Sequence, residues 1–293
     1  LVLTIYIITF AVGLPANIFV FATLLGTAWR RVSSSTILLL NLTAADLLLL
    51  LFLPFKMVEA AAGMTWPLPI VLCPVANYCY FSTIYLSSLF LAALSVERYL
   101  SVVFPLRYKN RRRPGRAMAA SVIIWLLACS HMSIVFLTDS SAPNVHDGSN
   151  TTNVYKCYDD FNEDQLSFVL PFRLELFLVL FLLPFTVTIF CYINFVRVLL
   201  ARPNIPLEKK QRAVGLAVAT MVNFGVCFAP YNISHVVGFV EKKSPDWRVY
   251  ALLLTSLNAA LDPVIFYFSS TAVQRATAGV VVAVRDKLRG LVG

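Results

Sequence analysis

Long apolar runs recur along the chain, separated by short polar connections. Crossing a hydrocarbon layer of about 30 Å takes roughly 20 mostly apolar residues at helical rise. Seven stretches reach that length, near residues 1–25, 36–60, 72–103, 117–138, 167–200, 210–240 and 246–270. Beyond the last, near 272–291, Val280 to Val284 precede Arg285, Lys287 and Arg289, which predicts a short amphipathic helix on a membrane surface. No cysteine follows Cys227, so palmitate cannot anchor that segment. The numbering opens inside the first run, so the chain reads as truncated at its start. The predicted fold class is an all-α membrane protein, a seven-transmembrane helix bundle with a short amphipathic C-terminal helix, forming a single domain over 1–293.

Composition agrees with lipid as the solvent. Hydrophobic residues make up 59% of the 293 positions and charged ones 13%, against about a quarter charged in a soluble domain. The net charge of +9 would suit a nucleic-acid partner only if it were clustered for one, and it is not. Lys56, Lys156, Arg173, Lys242, Lys243 and Arg248 fall on one side of the membrane, in the company of most of the acids, and the remaining Lys and Arg fall on the other. The positive-inside rule then predicts an extracellular N-terminus and a cytoplasmic C-terminus in a multi-pass plasma-membrane protein.

Four cysteines, Cys79, Cys129, Cys191 and Cys227, lie within spans and read as small buried hydrophobes. Cys73 opens the third span and Cys157 lies in the longest outer loop, an oxidising compartment where a disulfide persists. Their pairing is expected, and it would hold the loop over the bundle mouth. The same loop carries Asn150-Thr151-Thr152, a glycosylation acceptor on the accessible side.

An ionisable residue inside a membrane is costly and therefore a functional candidate. Asp46 and Asp262 meet that criterion, with Asn258 and Ser87 offering further oxygens. Arg173 and Arg248 sit near the outer ends of the fifth and seventh spans, flanking the sixth, which carries His235 one turn above Tyr231. Two guanidinium groups facing one cavity imply an anionic ligand, because they bind carboxylate bidentately and cannot lose their charge. Each could instead snorkel to headgroups or pair with a loop acid such as Asp159, which places Asp159 in the candidate set too. Tyr85 and Tyr231 can donate to the same carboxylate. Glu175, two residues from Arg173, points to another helix face and should not cancel its charge. No catalytic motif of the G-x-S-x-G, H-E-x-x-H or glycine-rich phosphate-loop kind is present, so an enzyme is not expected. No lysine lies between Lys243 and Lys287, which excludes a retinal pump.

Asn17, Leu42 to Asp46, Glu97-Arg98-Tyr99, Trp125, Pro184, Cys227-Phe228-Ala229-Pro230 and Asp262-Pro263 follow one another on successive spans. In that order they resemble the rhodopsin-like (class A) G-protein-coupled receptors over the whole chain. The stretches Leu50 to Phe55, Arg173 to Glu175, Pro230 to His235 and Phe266 to Ser270 resemble the free fatty acid receptors that respond to short-chain carboxylates. The resemblance implies a short-chain fatty acid ligand and a heterotrimeric G protein of the inhibitory type as partners, with the lipid bilayer and no nucleic acid. It puts His131 in the ligand pocket. It groups Asp46, Ser87, Asn258 and Asp262 around a possible sodium ion, the only cofactor implied, although two carboxylates could instead share a proton. It assigns coupling to Glu97, Arg98 and Tyr99, with Arg98 swinging inward on activation to meet Tyr192.

Three departures accompany the resemblance. Lys210 stands where many relatives have a Glu that clasps Arg98, Phe228 replaces a common Trp, and Asp262 replaces a common Asn. The missing clasp implies some basal activity. Pro230 is expected to free a carbonyl and hinge the sixth span. A receptor for another small anion, and less readily a carboxylate transporter, are the alternative readings.

Overall fold

The structure, a computed structural model, describes residues 1–105, 114–134, 157 and 163–292. Among these there are eight helical rods and no strand. α1 spans Val2–Arg30, α2 Ser34–Ala61, α3 Leu72–Val103 and α4 Pro114–Met132. α5 joins Glu163–Leu176, a π-helical Phe177–Leu182 and Leu183–Ala201. α6 joins Leu207–Asn223, a π-helical Phe224–Phe228 and Ala229–Glu241. α7 joins Arg248–Ser256 and Asn258–Ser269, and α8 is Thr271–Val292. Seven of these are long and apolar enough to cross a membrane. They match the seven predicted runs, and α8 matches the predicted amphipathic segment.

The bundle has an apolar core like a water-soluble protein, but it is also apolar outside and buries polar residues at its centre. Ile18, Leu51, Ile123, Leu183 and Val218 are exposed, whereas Asn17, Asp46, Asn77, Asn223, Asn258 and Asp262 are buried. That distribution suits lipid, where apolar surface is free to face the solvent and polar groups must find partners inside. α3 is central: 78% of its apolar window is buried, against 22% for α4. With no hydrophobic drive between helices in lipid, close packing and interhelical hydrogen bonds hold them together. Asn17 supplies one such bond, its amide donating to Gly13 O at 2.9 Å and to Ala259 O of α7 at 2.6 Å. Gly13 permits that approach, since a Cβ there would lie 3.2 Å from Leu50 and 3.4 Å from Ala259 O.

Local chemistry sets the boundaries. Ser33 caps α2, its hydroxyl accepting from Thr36 N at 3.2 Å. α6 stops at Lys242, which adopts a left-handed φ of 54°. Proline accounts for the irregular turns: the π-helical segments of α5 and α6 end just before Pro184 and Pro230. The sequence predicts a freed carbonyl and a hinge at Pro230. A π turn meets the same defect by adding one residue to the preceding turn. The Cys73–Cys157 disulfide is present, buried with Trp66 and Ala76 against Phe52, Phe55, Leu68 and Leu72. It marks one end of the bundle; the opposite end carries the basic residues Arg31, Lys209 and Arg212.

Candidate functional site

At the disulfide end, four helices bring their polar residues to one small cavity of about 20 Å³. Arg173 of α5, His235 and Tyr231 of α6, Arg248 of α7 and Tyr85 of α3 line it, with Phe81, Met132, Phe172 and Leu176 as apolar walls. The two arginines are 4% and 7% exposed, so neither snorkels to the surface. Arg248 Nη2 donates to Tyr231 Oη at 3.1 Å, and its guanidinium carbon lies 5.3 Å from the centre of that ring. Arg173 Nη1 donates to Ser244 Oγ at 3.3 Å. Tyr85 Oη and His235 Nε2 are 3.1 Å apart, and the His235 ring sits edge-on to Tyr231 with centroids 4.6 Å apart. His235 Nδ1 is buried without a hydrogen-bond partner.

Spacing explains the convergence. Tyr231 and His235 are four residues apart on α6 and so share a face. α5 and α7 flank α6, which puts one arginine on each side of that face.

His131 is close by but belongs to a different contact. Its Nε2 lies 3.2 Å from Glu175 Oε1, its Nδ1 meets Leu127 O at 2.8 Å, and its ring faces Phe172 with centroids 6.5 Å apart. It does not line the cavity. The expected divergence of Glu175 from Arg173 holds, because Glu175 turns to α4. Asp159 and Asn150 lie outside the described residues.

A second compartment adjoins the first across Arg248, lined by Tyr6, Lys56, Glu59, Asn77 and Phe81. Lys56 Nζ is 2.8 Å from Glu59 Oε2, with both side chains 7% exposed. Sequence reasoning counted Lys56 only as one of the charges on its side of the membrane. The signal for the pair was its i, i+3 spacing inside an apolar run.

At the bundle centre Asp46, Ser87, Asn258 and Asp262 do come together. Ser87 donates to Asp46 Oδ1 at 3.4 Å and Asn258 Nδ2 to the same oxygen at 3.2 Å. Asn223 of α6, absent from the sequence-based set, completes the cluster: its Nδ2 donates to Asn258 Oδ1 at 2.7 Å and to Asp262 Oδ1 at 2.5 Å. It carried the same signal as its neighbours, a polar side chain in an apolar span. Asp46 Oδ2, Asp262 Oδ2 and Asn223 Oδ1 are buried without hydrogen-bond partners. All-oxygen donors with two carboxylates fit a hard cation such as sodium. Phe224 and Phe228, both fully buried, pack against each other beside this cluster with centroids 5.6 Å apart.

At the basic end a cavity of about 700 Å³ opens between α2, α3, α5, α6 and α7, lined by Arg98, Arg31, Lys209 and Arg212 among others. Glu97 Oε2 lies 3.8 Å from Arg98 Nε, and Glu97 Oε1 accepts from Ser35 Oγ at 2.7 Å. Arg98 Nη2 donates to Ser269 O of α7 at 2.8 Å. Tyr99 packs on Phe104 and Phe190, and Tyr192 Oη is 3.4 Å from Thr220 Oγ1.

The model of the 7 transmembrane receptor (rhodopsin family) matches residues 16–266. Free fatty acid receptor 3 of Homo sapiens is 49% identical over 93% of this chain and 78% of its own length. Free fatty acid receptor 2 of Mus musculus is 46% identical over 100% of this chain and 88% of its own, and free fatty acid receptor 2 of Homo sapiens is likewise 46% identical over 100% and 88%. The chain belongs to the rhodopsin family of seven-transmembrane receptors and, within it, to the free fatty acid receptors.

Proposed function

We propose that this receptor binds a short-chain carboxylate at its disulfide end, facing outward, and activates a heterotrimeric G protein at its basic end, facing the cytoplasm. One observation carries the ligand class: the guanidinium groups of Arg173 and Arg248 and the imidazole of His235 border a single buried cavity that Tyr85 and Tyr231 also line. Two permanent cations with hydroxyl donors match a carboxylate head. Phe81, Met132, Phe172 and Leu176 close the cavity to about 20 Å³, which favours a short tail. That volume is near what one water needs, so ligand entry requires these walls to part.

Ligand size bounds affinity. A ceiling of roughly 1.5 kcal/mol per heavy atom limits an acid of about five heavy atoms to about 7 kcal/mol. Binding is therefore weaker than about 1 μM, which corresponds to about 8.2 kcal/mol, and suits an abundant metabolite.

The coupling reading rests on the basic cavity around Arg98, on the asymmetry of positive charge that sets the N-terminus outside, and on the family. Likeness to receptors of this kind favours an inhibitory-type G protein. The same reading gives the central cluster of Asp46, Ser87, Asn258 and Asp262, with Asn223, the role of holding a sodium ion, which would supply the positive charge that two buried carboxylates otherwise lack.

The test is nucleotide exchange on a panel of purified G proteins with receptor in lipid discs, across acetate to hexanoate. Exchange driven by short acids, greatest with an inhibitory-type protein and without acid flux into receptor liposomes, is the expected result. Flux without exchange would make the chain a transporter.

A further inference from the structure

The compartment that adjoins the carboxylate cavity across Arg248 has a volume of about 40 Å³, roughly three times what one water needs. Arg248 and Phe81 line both spaces. Asn77, also in the lining, lies one turn from Phe81 on the same face of α3. It is fully buried, and its Nδ2 donates to Cys157 Sγ at 2.9 Å. A disulfide sulfur carries no hydrogen and can only accept, which fixes the amide with its nitrogen toward the sulfur and its oxygen turned away. That oxygen, Asn77 Oδ1, is buried without a hydrogen-bond partner among the described residues. A desolvated acceptor of this kind is costly to leave unpaired.

We propose that this compartment receives a hydroxyl group on the tail of the acid, with Asn77 Oδ1 accepting from it and Lys56 donating to it, so that short hydroxy acids are the ligand class the receptor selects. This rests on the carboxylate reading above, which seats the head at Arg173 and Arg248. A tail leaving that head passes Phe81, the wall common to both spaces, and arrives at Asn77.

Charge decides which polar group fits. Apart from Arg248, the charges lining the compartment among the described residues are Lys56 and Glu59, 2.8 Å apart with both side chains 7% exposed, and they cancel. A second carboxylate would have to draw Lys56 away and strand Glu59 in a buried site. An ammonium would meet Lys56 and Arg248 with the one acid already taken, a buried charge without a counterion. A neutral hydroxyl avoids both. It donates to Asn77 Oδ1 and accepts from the Lys56 ammonium, whose N–H groups outnumber its bond to Glu59. A methyl group of the same size leaves Oδ1 unpaired, and a site built to bond a hydroxyl rejects such an analogue.

The experiment compares 3-hydroxypropanoate and 4-hydroxybutanoate with the acids that carry a methyl group in place of the hydroxyl, butanoate and pentanoate, and with succinate and 4-aminobutanoate. Ligand-dependent thermal stabilisation of the purified receptor gives each apparent Kd and needs no G protein. At least one hydroxy acid should bind about fivefold or more tighter than its methyl counterpart, the factor that corresponds to about one buried hydrogen bond. Succinate and 4-aminobutanoate should bind more weakly than that hydroxy acid. In Asn77→Leu, which keeps the volume and removes the acceptor, and in Asn77→Ala, the ratio of hydroxy to methyl acid should fall to about one, and a ratio taken on one variant divides out general damage to the fold. Methyl acids or succinate binding as tightly as the hydroxy acids in the parent would overturn the subsite whatever the variants do. So would a ratio that survives both substitutions. If no acid stabilises the parent, the carboxylate reading itself falls and takes the subsite with it.

Discussion

Arg248 and Tyr231 form one unit at the disulfide end, joined by a 3.1 Å hydrogen bond and by the guanidinium lying 5.3 Å over the phenol ring. The ring contact keeps the guanidinium beside the cavity, and the hydrogen bond sets its in-plane orientation. Tyr231→Phe keeps the first and removes the second. The acid dose curve should shift to higher concentration by about five- to tenfold, for roughly 1 kcal/mol of lost preorganisation, with the maximal response unchanged. An unshifted curve would show that Arg248 needs no such guide.

Arg173→Ala and Arg248→Ala should each leave the receptor silent to short acids. Removing one of two buried cations opposite a carboxylate costs about 2 to 5 kcal/mol, most of what so small a ligand has. Arg→Lys should rescue only in part, because an ammonium lacks the planar fork. The amide of the same acid is the shape control: an amide as active as the acid, or normal responses from both Ala variants, would place the carboxylate elsewhere.

Arg98→Ala should abolish nucleotide exchange and leave ligand binding intact, since Arg98 lines the basic cavity at the opposite end from Arg173 and Arg248. Radioligand competition beside nucleotide exchange checks this. Loss of binding with coupling preserved would contradict it.

Glu59→Gln should destabilise the receptor by about 3 to 5 kcal/mol, because it strands the Lys56 ammonium in a buried site. Lys56→Met combined with Glu59→Leu should recover most of the loss, as apolar replacement of a buried pair often does. Thermal unfolding in detergent reads both. Equal melting of Glu59→Gln and the parent would mean that water reaches Lys56.

Replacing Cys73 and Cys157 by Ser opens a closure spanning 84 residues of sequence. In the chain-entropy account such a loop is worth about 4 to 5 kcal/mol. Melting should fall accordingly, and acid potency should drop because Cys157 lines the compartment that Arg248 borders. Peptide mapping without reductant should recover the linked pair from the parent receptor.

The seven spans, the amphipathic tail and the disulfide were legible in the linear chain because each rests on a local or topological property. Of the candidate ligand residues, Arg173, Arg248, His235, Tyr231 and Tyr85 line one cavity. His131 turns instead to Glu175, a pairing between α4 and α5 that depends on how the two helices are rotated and that no spacing along one of them reveals. Asn223 escaped for the opposite reason: its polarity was visible, but its partners sit 35 and 39 residues away on α7.

Hydrophobic length and charge asymmetry by themselves determined a seven-span membrane fold, since lipid demands apolar helices of bilayer length whatever their contacts. Lone polar residues within those runs marked the candidate sites. Only the tertiary structure decided which of them meet: that Asn223 joins Asp262, that Arg98 turns to α7, that Phe268 fills the space over Gly215. Helix rotation and irregular turns set these contacts, and both follow from packing summed over many neighbours, which no single stretch of sequence encodes.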